Sequence, residues 1–588
     1  MLSHQAMNKK IAILGGGPSG LFMYKRLVES GRKHLDIHIF ERKAYLGAGM
    51  PYSHEGANDE HITNVSDNEI PRIFNSIAEW VETAPVELLE RFNINAENFN
   101  EYKVLPRLFF GAYLSAQFDL LCDKAGGTGI CTTVHLETNV TGILDRPENQ
   151  CVQVEVDGDQ RNDFDHVVVC IGHNWPKKLE GKIPGYYDSP YPPLKLKKRL
   201  NHAVAIKGSS LTAIDAIRTI ARENGTFAED AEGKLTFCLD EASADFRIVM
   251  HSRNGMLPAV RFHLEDSHLG KDGLLSKAEL EMHIAGNDGF ISLDFLFEKN
   301  FKETFIERKP EFYEQIKGMN IETFVDAMMQ KRERMDPFEL LKKEYAEAEK
   351  SIENRESIHW KEMLAVLSFA MNYPAKYLSA EDMLRLQKVL MPLISIVIAF
   401  VPQSSCRDLM ALHDAGLLSL VSVGDDSEVE SLDSGGVEYH YTDEHHDEVT
   451  HHYETFIDCV GQPALAFEDF PFRDLIDKGV VSPARLRFRS QQEGKAQVDK
   501  KNELVSIDHN GQYFMTVPGI SINDCFQVTD RTGKANERIY MMAVPYIGGY
   551  NPDYSGIDFS EAASQTILDS LFTDEVEDLK VQVCNTDQ

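Results

Sequence analysis

The sequence lacks paired cysteines and long apolar runs. Its nine cysteines are scattered over 588 residues without one C-x-x-C pair, which disfavours a disulfide scaffold, a zinc ribbon and a dithiol redox centre. The longest apolar run, residues 389–401, contains Pro392 and is shorter than the roughly 18 to 20 residues of a membrane helix. The N-terminal segment also lacks the apolar stretch of a secretory signal. We therefore expect a cytoplasmic protein without a membrane partner.

Positive charge is scarce as well. Lysine and arginine number 60 against 93 acidic residues, which gives a formal net charge of -33. Nucleic-acid binding requires a basic face, so a nucleic-acid partner is disfavoured. A local basic pocket for a phosphorylated cofactor remains compatible with this charge. The chain is longer than a domain with a single hydrophobic core usually is, so we expect two or three packed units.

The first informative motif is a glycine loop near the N-terminus. An apolar strand at residues 11–14 leads into G-x-G-x-x-G, then a helical segment, and a second strand that ends at Glu41. In this order the glycines allow a sharp turn and a close approach to a pyrophosphate, and the acidic residue accepts hydrogen bonds from a ribose. The pattern therefore predicts a dinucleotide site. The residues that we assign to it are Gly15, Gly17, Pro18, Ser19, Gly20 and Glu41.

A second strand, glycine turn and helix follow in the stretch "AVAIKGSSLTAIDA". Gly208 forms the turn, and Ser209 and Ser210 precede the helix, with Ser210 at a position that usually carries glycine. The next strand ends in Ser252 and Arg253, and an arginine there suits the 2′-phosphate of NADPH, whereas NADH lacks that group. A solvent-facing arginine is the alternative interpretation of Arg253. We predict a nicotinamide-nucleotide site at these residues.

The stretches "GGGPSGL", "ERKAYLGAGMPYS", "VVVCIGHNWP", "GSSLTAIDA" and "SRNGMLP" resemble the bacterial FAD-NAD(P)-binding family of two-dinucleotide-domain flavoproteins, which is related to flavin-dependent monooxygenases. The resemblance implies an α/β fold with a Rossmann-like FAD-binding domain, a second Rossmann-like NAD(P)-binding domain and a helical insertion. It implies that the first site takes FAD and that the loop at residues 46–53 reaches the flavin. Further FAD contacts implied by the resemblance are Arg42, Met50, Gly172, Asp524 and Gly556.

These assignments divide the chain into three units. We expect residues 1–180 and 455–588 to form the FAD-binding domain, and residues 200–265 and 420–455 the NAD(P)-binding domain. Helical spacing of apolar residues predicts an insertion over residues 266–419, which could cover a substrate. Five histidines near residues 440–452 fit no zinc-finger spacing and lie among acids, so we interpret them as a solvated hairpin and predict no metal site.

Several functions fit these motifs. The leading hypothesis is an FAD-dependent oxidoreductase that uses NADPH, and more narrowly a monooxygenase that acts through a flavin C4a-hydroperoxide on a small substrate such as an amine or amino acid. The alternatives are a flavin-dependent dehydrogenase or reductase without oxygen transfer, and a non-catalytic FAD- or nucleotide-binding protein. In such chemistry the cofactor performs the difficult step, and we nominate no catalytic side chain. The sequence leaves the substrate and the oligomeric state open.

Overall fold

The computed structural model describes residues 8–158, 160–172, 177–265, 275–462, 464–552 and 556–573. Its first sheet has six strands. Neighbouring strands pair in parallel, except that Ala535–Met541 and Gln527–Thr529 pair antiparallel. The central strand, Lys9–Leu14, carries four consecutive buried residues, as expected of a strand covered on both faces. In spatial order the strands are Cys131–His135, Leu35–Phe40, Lys9–Leu14, His166–Val169, Ala535–Met541 and Gln527–Thr529.

Three long helices pack around this sheet. The helix Pro18–Glu29 contacts both Arg107–Gly126 and Gly556–Leu571. The last of these helices lies far away in sequence, so the C-terminal region completes the unit that the N-terminus begins. Smaller antiparallel sheets surround the unit, with strands Ile62–Ser66, Val104–Pro106, Val140–Arg146, Cys151–Val156, Gln160–Phe164, Pro483–Arg487, Val505–Ile507 and Tyr513–Ile520.

A second, five-stranded parallel sheet forms a separate α/β unit. Its spatial order is Tyr186–Tyr187, Thr455–Asp458, Ala203–Lys207, Arg247–Ser252 and Leu418–Ser422. The helices Leu211–Asn224 and Gln403–Asp414 pack in this unit. The strand Thr455–Asp458 pairs here, although we had expected the segment from residue 455 onward to belong to the first unit. Its backbone bonds with Ala203–Lys207 show that this boundary lies after residue 458.

Smaller strands flank the second sheet. The strands Glu428–Ser431, Val437–Thr442 and Glu448–Tyr453 form an antiparallel sheet, which includes the expected hairpin. A two-stranded sheet is formed by Gly225–Glu229 and Leu235–Leu239.

The middle of the chain is helical, as its periodicity predicts. Much of its apolar surface joins the core of the first unit, and part of it, including Phe338 and Leu341, joins the core of the second. Among the described residues no helix has the length and apolarity that a membrane span requires. The α-helices of this middle region are Lys277–Gly286, Leu293–Asn300, Phe305–Arg308, Pro310–Ile316, Ile321–Glu333, Pro337–Asn354, His359–Ala370, Ala380–Arg385 and Met391–Val397. Four shorter α-helices elsewhere are Ile77–Val81, Val86–Arg91, Arg473–Asp477 and Gln491–Asp499.

Candidate functional site

The first glycine loop follows the central strand of the six-stranded sheet. Gly15 has a φ of +109°, and a Cβ atom there would lie 2.6 Å from the carbonyl oxygen of Cys170. A Cβ atom on Gly20 would lie 2.1 Å from the carbonyl oxygen of Gly15. Glycine is therefore required at Gly15 by conformation and contact, and at Gly20 by close packing of helix on strand.

The helix Pro18–Glu29 begins at the end of this loop. Gly17 occupies the N-cap position without a side-chain cap, and Pro18 takes the first helical position. The first N–H groups of a helix have no partner within it, and they carry the positive end of the helix dipole. A Cβ atom on Gly17 would come within 3.3 Å of the Cα atom of Gly49. The loop thus forms a cradle for a phosphate without side chains in the way.

A cavity of about 170 Å³ opens beside this cradle. Nine of the eleven residues that we assigned to FAD from sequence line it together, while Gly20 only packs behind it. These nine are Gly15, Gly17, Pro18, Ser19, Glu41, Arg42, Met50, Gly172 and Gly556. Tyr52 belongs to the loop at residues 46–53 that we expected to reach the flavin. Sequence reasoning missed several other lining residues, which are Lys43, Glu55, Val544, Pro545 and Ile557.

The carboxylate of Glu41 is held by the backbone at the end of its strand. One oxygen accepts a hydrogen bond from the N–H of Gly16 at 2.8 Å, and the other accepts one from the N–H of Lys43 at 2.9 Å. Burial and the neighbouring Arg42 lower the pKa of Lys43, whose ammonium contacts Glu55. An acid fixed at this place suits a ribose, and the adjacent cations suit a pyrophosphate. The residues present therefore fit the adenosine and pyrophosphate parts of FAD.

Asp524 lies elsewhere. It accepts hydrogen bonds from the hydroxyl groups of Tyr373 and Tyr377, at 2.9 and 2.8 Å, and contacts the ammonium of Lys376. The strand that reaches the FAD cavity beside His166–Val169 is Ala535–Met541, and it is followed by Val544 and Pro545. The placement of Asp524 thus gives no support to our expectation that it contacts FAD.

The second glycine loop repeats the design of the first. Gly208 has a φ of +111°, and a Cβ atom there would lie 2.8 Å from the carbonyl oxygen of Cys459. Its N–H donates to the carbonyl oxygen of His251 at 2.7 Å. A cavity of about 500 Å³ lies beside it and brings together Gly208, Ser209, Ser210 and Arg253. The Ser209 hydroxyl donates to the carbonyl oxygen of Met256 at 2.7 Å, whereas Ser210 is exposed at the N-cap of the helix.

Arg253 and Ser252 end the strand beside this cavity. Within the described part of the chain, the buried Oγ atom of Ser252 has no hydrogen-bond partner. The Arg253 side chain is 76% exposed, and its guanidinium lies 3.6 Å from the carboxylate of Asp425. A hydroxyl and a guanidinium next to each other can bind a phosphate, while Asp425 competes for the same cation. This arrangement fits the 2′-phosphate of NADPH.

The middle helices form one wall of the second cavity. Gln387 comes from a π-helical turn, Leu386–Leu390, and Met391, Ser395 and Ile396 follow in the next helix. Single π-helical turns occur often at functional sites. The periodicity of the sequence predicts a helix here but contains no signal for this turn or for its contact with the second unit.

A buried polar cluster joins the two α/β units. The guanidinium of Arg107 donates to the carboxylate of Asp215 at 2.6 Å, and the Tyr191 hydroxyl donates to it at 2.8 Å. His61 is fully buried. Its Nδ1 atom accepts a hydrogen bond from the N–H of Asn58, so the proton of the ring is on Nε2. The Nε2 atom lies 3.1 Å from the carbonyl oxygen of Asp215. Burial lowers the pKa of His61.

The histidine-rich hairpin lies on the flanking antiparallel sheet. His440, His451 and His452 are on its strands, and His445 and His446 are in the turn. Oxygen and nitrogen atoms of Glu430, Glu438 and His440 lie within 4.8 Å of one another. These groups are exposed or half-exposed, and no further described side chain completes a metal site there.

Comparisons with known proteins agree with this geometry. Residues 12–174 match the FAD-NAD(P)-binding family, and residues 276–398 match the YdhS-like middle domain. The uncharacterized protein YdhS of Escherichia coli (strain K12) is 30% identical over 474 residues, which cover 79% of this chain and 86% of the relative. The chain belongs to the YdhS family. This YdhS-family chain is accordingly a flavoprotein with an FAD-NAD(P)-binding domain.

Two solved structures superpose on the chain with low TM-scores and low sequence identity. The ornithine N-hydroxylase of Kutzneria sp. 744 superposes with a TM-score of 0.43 and 12% identity, over 97% of this chain and all of that chain. The bacillithiol disulfide reductase of Staphylococcus aureus gives 0.40 and 9%, over 97% and 99%. Similarity at this level assigns no activity to the YdhS-family chain.

Proposed function

We propose that the chain is an FAD-dependent, NADPH-oxidising enzyme and, more narrowly, a monooxygenase that acts on a small organic substrate. The observation that supports the proposal is that both α/β units contain the same kind of glycine turn between a strand and a helix. Gly15 and Gly208 each take a positive φ at the carboxyl end of a parallel sheet and each border a cavity. Ligands of open α/β sheets bind at such ends.

The residues of the two cavities have separate roles in binding. The cradle around Gly17 and the carboxylate of Glu41 hold the pyrophosphate and ribose of FAD, and Arg253 with Ser252 holds the 2′-phosphate of NADPH. When bound, FAD supplies two-electron transfer from a nicotinamide and activation of dioxygen. The sequence contains no C-x-x-C pair, and this disfavours a protein dithiol as the electron acceptor. A reductase without oxygen transfer is the second candidate.

The test uses the purified, flavin-loaded protein. NADPH added without oxygen should bleach the flavin absorbance, and admission of air with a set of small amines, amides and apolar compounds should yield a product heavier by one oxygen atom. Consumption of NADPH, O2 and substrate should then be equimolar. Hydrogen peroxide as the sole oxygen product with every compound would reject the monooxygenase, and failure of NADPH to reduce the flavin would reject the oxidoreductase.

A further inference from the structure

A third cavity, of about 350 Å³, lies between the middle helices and the C-terminal helix Gly556–Leu571. Four residues of that helix line it at helical spacing, namely Phe559, Ala562, Ala563 and Thr566. Most of the remaining wall is apolar and includes Leu280, Phe369, Ile522 and Phe526. A concave, mostly apolar wall with a few polar groups is typical of small-molecule sites.

This cavity and the FAD cavity border the same two chain segments. Val544 and Pro545 line the FAD cavity, and Ile547, Tyr550 and Asn551 a few residues later line the third cavity. Likewise Gly556 and Ile557 begin the C-terminal helix at the FAD cavity, and the next turns of that helix form the wall of the third. The third cavity and the FAD cavity therefore adjoin along these two segments.

Asn551 is a polar residue of this wall whose side-chain amide has no hydrogen-bond partner among the described residues. It is 2% exposed, and within the described residues neither its Oδ1 nor its Nδ2 atom has a hydrogen-bond partner. Buried polar groups are almost always paired, because an unpaired one costs free energy. The neighbouring Asn300, which is 1% exposed, is paired, since its Oδ1 accepts from the N–H of Leu275 at 3.1 Å. A buried amide that offers one donor and one acceptor suits a ligand group that offers the complement.

The charges at the cavity cancel. The ammonium of Lys376 contacts Asp524, and the hydroxyls of Tyr373 and Tyr377 donate to the same carboxylate. Lys277 also lines the cavity, but its side chain is 68% exposed and lies 3.8 Å from Glu281. A ligand with a net charge would therefore meet no uncompensated charge in the interior, so its desolvation would be unfavourable.

We propose that this cavity binds a neutral, largely apolar small molecule through an amide-like group that pairs with Asn551. This molecule is the organic substrate of the chain, an assignment that rests on the proposed function. Among the described residues of its wall the cavity offers no free cation or anion, so a zwitterionic amino acid does not suit it.

The test compares three probes with the same apolar body: 3-phenylpropionamide, 3-phenylpropionate and 3-phenylpropylammonium. Binding to the oxidised, flavin-loaded protein is measured by calorimetry without NADPH, so the result does not depend on turnover. The amide should bind more tightly than either ion. Asn551→Leu keeps the branched shape of the side chain, is larger, and removes both hydrogen-bonding atoms. It should weaken binding of the amide about tenfold while the ions change little.

Thermal unfolding separates a ligand role from a structural one. Asn224 is the matched control, because it is fully buried and its amide is bonded to Leu200, Lys198 and Ile220. Asn224→Leu should lower the melting temperature, whereas Asn551→Leu should leave it unchanged or raise it. Tighter binding of either ion, or an equal loss of melting temperature in both variants without a change in amide affinity, would overturn the site.

The role as substrate is decided by a separate measurement. In the wild-type protein the amide should accelerate NADPH oxidation and acquire one oxygen atom of O2, while NADPH supplies two electrons and the second oxygen atom leaves as water. Binding without either effect would overturn the substrate role. NADPH reduction of the flavin, measured without any probe, tests the proposed oxidoreductase independently of this cavity.

Discussion

At the scale of single residues, we expect the charge at the rim of the second cavity to determine the choice between NADPH and NADH. Ser252 and Arg253 can both bind a 2′-phosphate, and Asp425 lies 3.6 Å from the guanidinium. Arg253→Ala should raise the KM for NADPH roughly tenfold, which corresponds to a charge-assisted hydrogen bond at an exposed position, and should change the KM for NADH little. Steady-state kinetics with both nucleotides measures this difference.

Asp425→Asn is the matched control for the same prediction. It keeps the shape of the neighbour and removes its negative charge, so the KM for NADPH should fall and that for NADH should stay constant. Equal changes in both KM values in Arg253→Ala would mean that Arg253 does not contact a 2′-phosphate.

At the scale of elements, we expect one glycine loop to bind FAD and the other to bind NADPH. Gly15→Ala and Gly208→Ala each force a side chain into positive φ against a carbonyl oxygen, at 2.6 and 2.8 Å. Positive φ alone costs about 1–2 kcal/mol. Gly15→Ala should therefore reduce the FAD content of the purified protein, whereas Gly208→Ala should retain FAD and raise the KM for NADPH about tenfold or more.

Gly129→Ala controls for conformational strain without contact. Gly129 has a φ of +84°, and no atom lies within 4 Å of its Cβ position. This variant should lose some thermal stability and keep both FAD content and the KM for NADPH. If it impaired cofactor binding as much as the loop variants do, strain rather than the cradle would explain their effect.

The glycine loops could be predicted from sequence because their physics is local. Strand, turn and helix are contiguous, and the same few residues determine conformation and contact. Asp524 could not be placed this way. Its partners Tyr373, Lys376 and Tyr377 lie about 150 residues earlier in a helical region, and the strand that does reach the FAD cavity is a later one. Long-range contacts of this kind, like the wall formed around Gln387, carry no local signal.

The contacts of Asp524 with Tyr373, Lys376 and Tyr377 hold the middle helices against the first unit, and we therefore expect Asp524 to contribute to stability. Burial alone would raise the pKa of Asp524, but Lys376 and the tyrosine hydroxyls more than offset it and lower the pKa overall. Asp524→Asn should reduce the free energy of unfolding by about 1–2 kcal/mol, since the carboxylate is one-third exposed, and should leave FAD content unchanged. Loss of FAD at unchanged stability would instead support our sequence-based assignment of Asp524.

At the scale of the whole molecule, two effects of acidification oppose each other. The net charge of -33 makes the folded chain repel itself, and this repulsion weakens as the pH falls toward the isoelectric point near 5.0. Several buried histidines act in the other direction. Burial lowers the pKa of His166 and of His251 to about 4, and it also lowers that of His61 at the junction of the two α/β units. Salt screens the first effect and not the second.

The sign of the histidine effect follows from proton uptake. A histidine with a lowered pKa stays neutral in the folded chain but binds a proton in the unfolded chain below about pH 6.5, so its stabilising contribution is complete above that pH and is lost as the pH falls. In 0.5 M salt, protonation linked to His166 and His251 should together lower the free energy of unfolding by about 2 kcal/mol between pH 7 and pH 5.5. Thermal unfolding at fixed salt measures the decline. His166→Phe should make the melting temperature depend less steeply on pH. Replacement of the exposed His445 by alanine should leave that dependence unchanged. A melting temperature that is constant over this range would show that these histidines accept protons without unfolding of the chain.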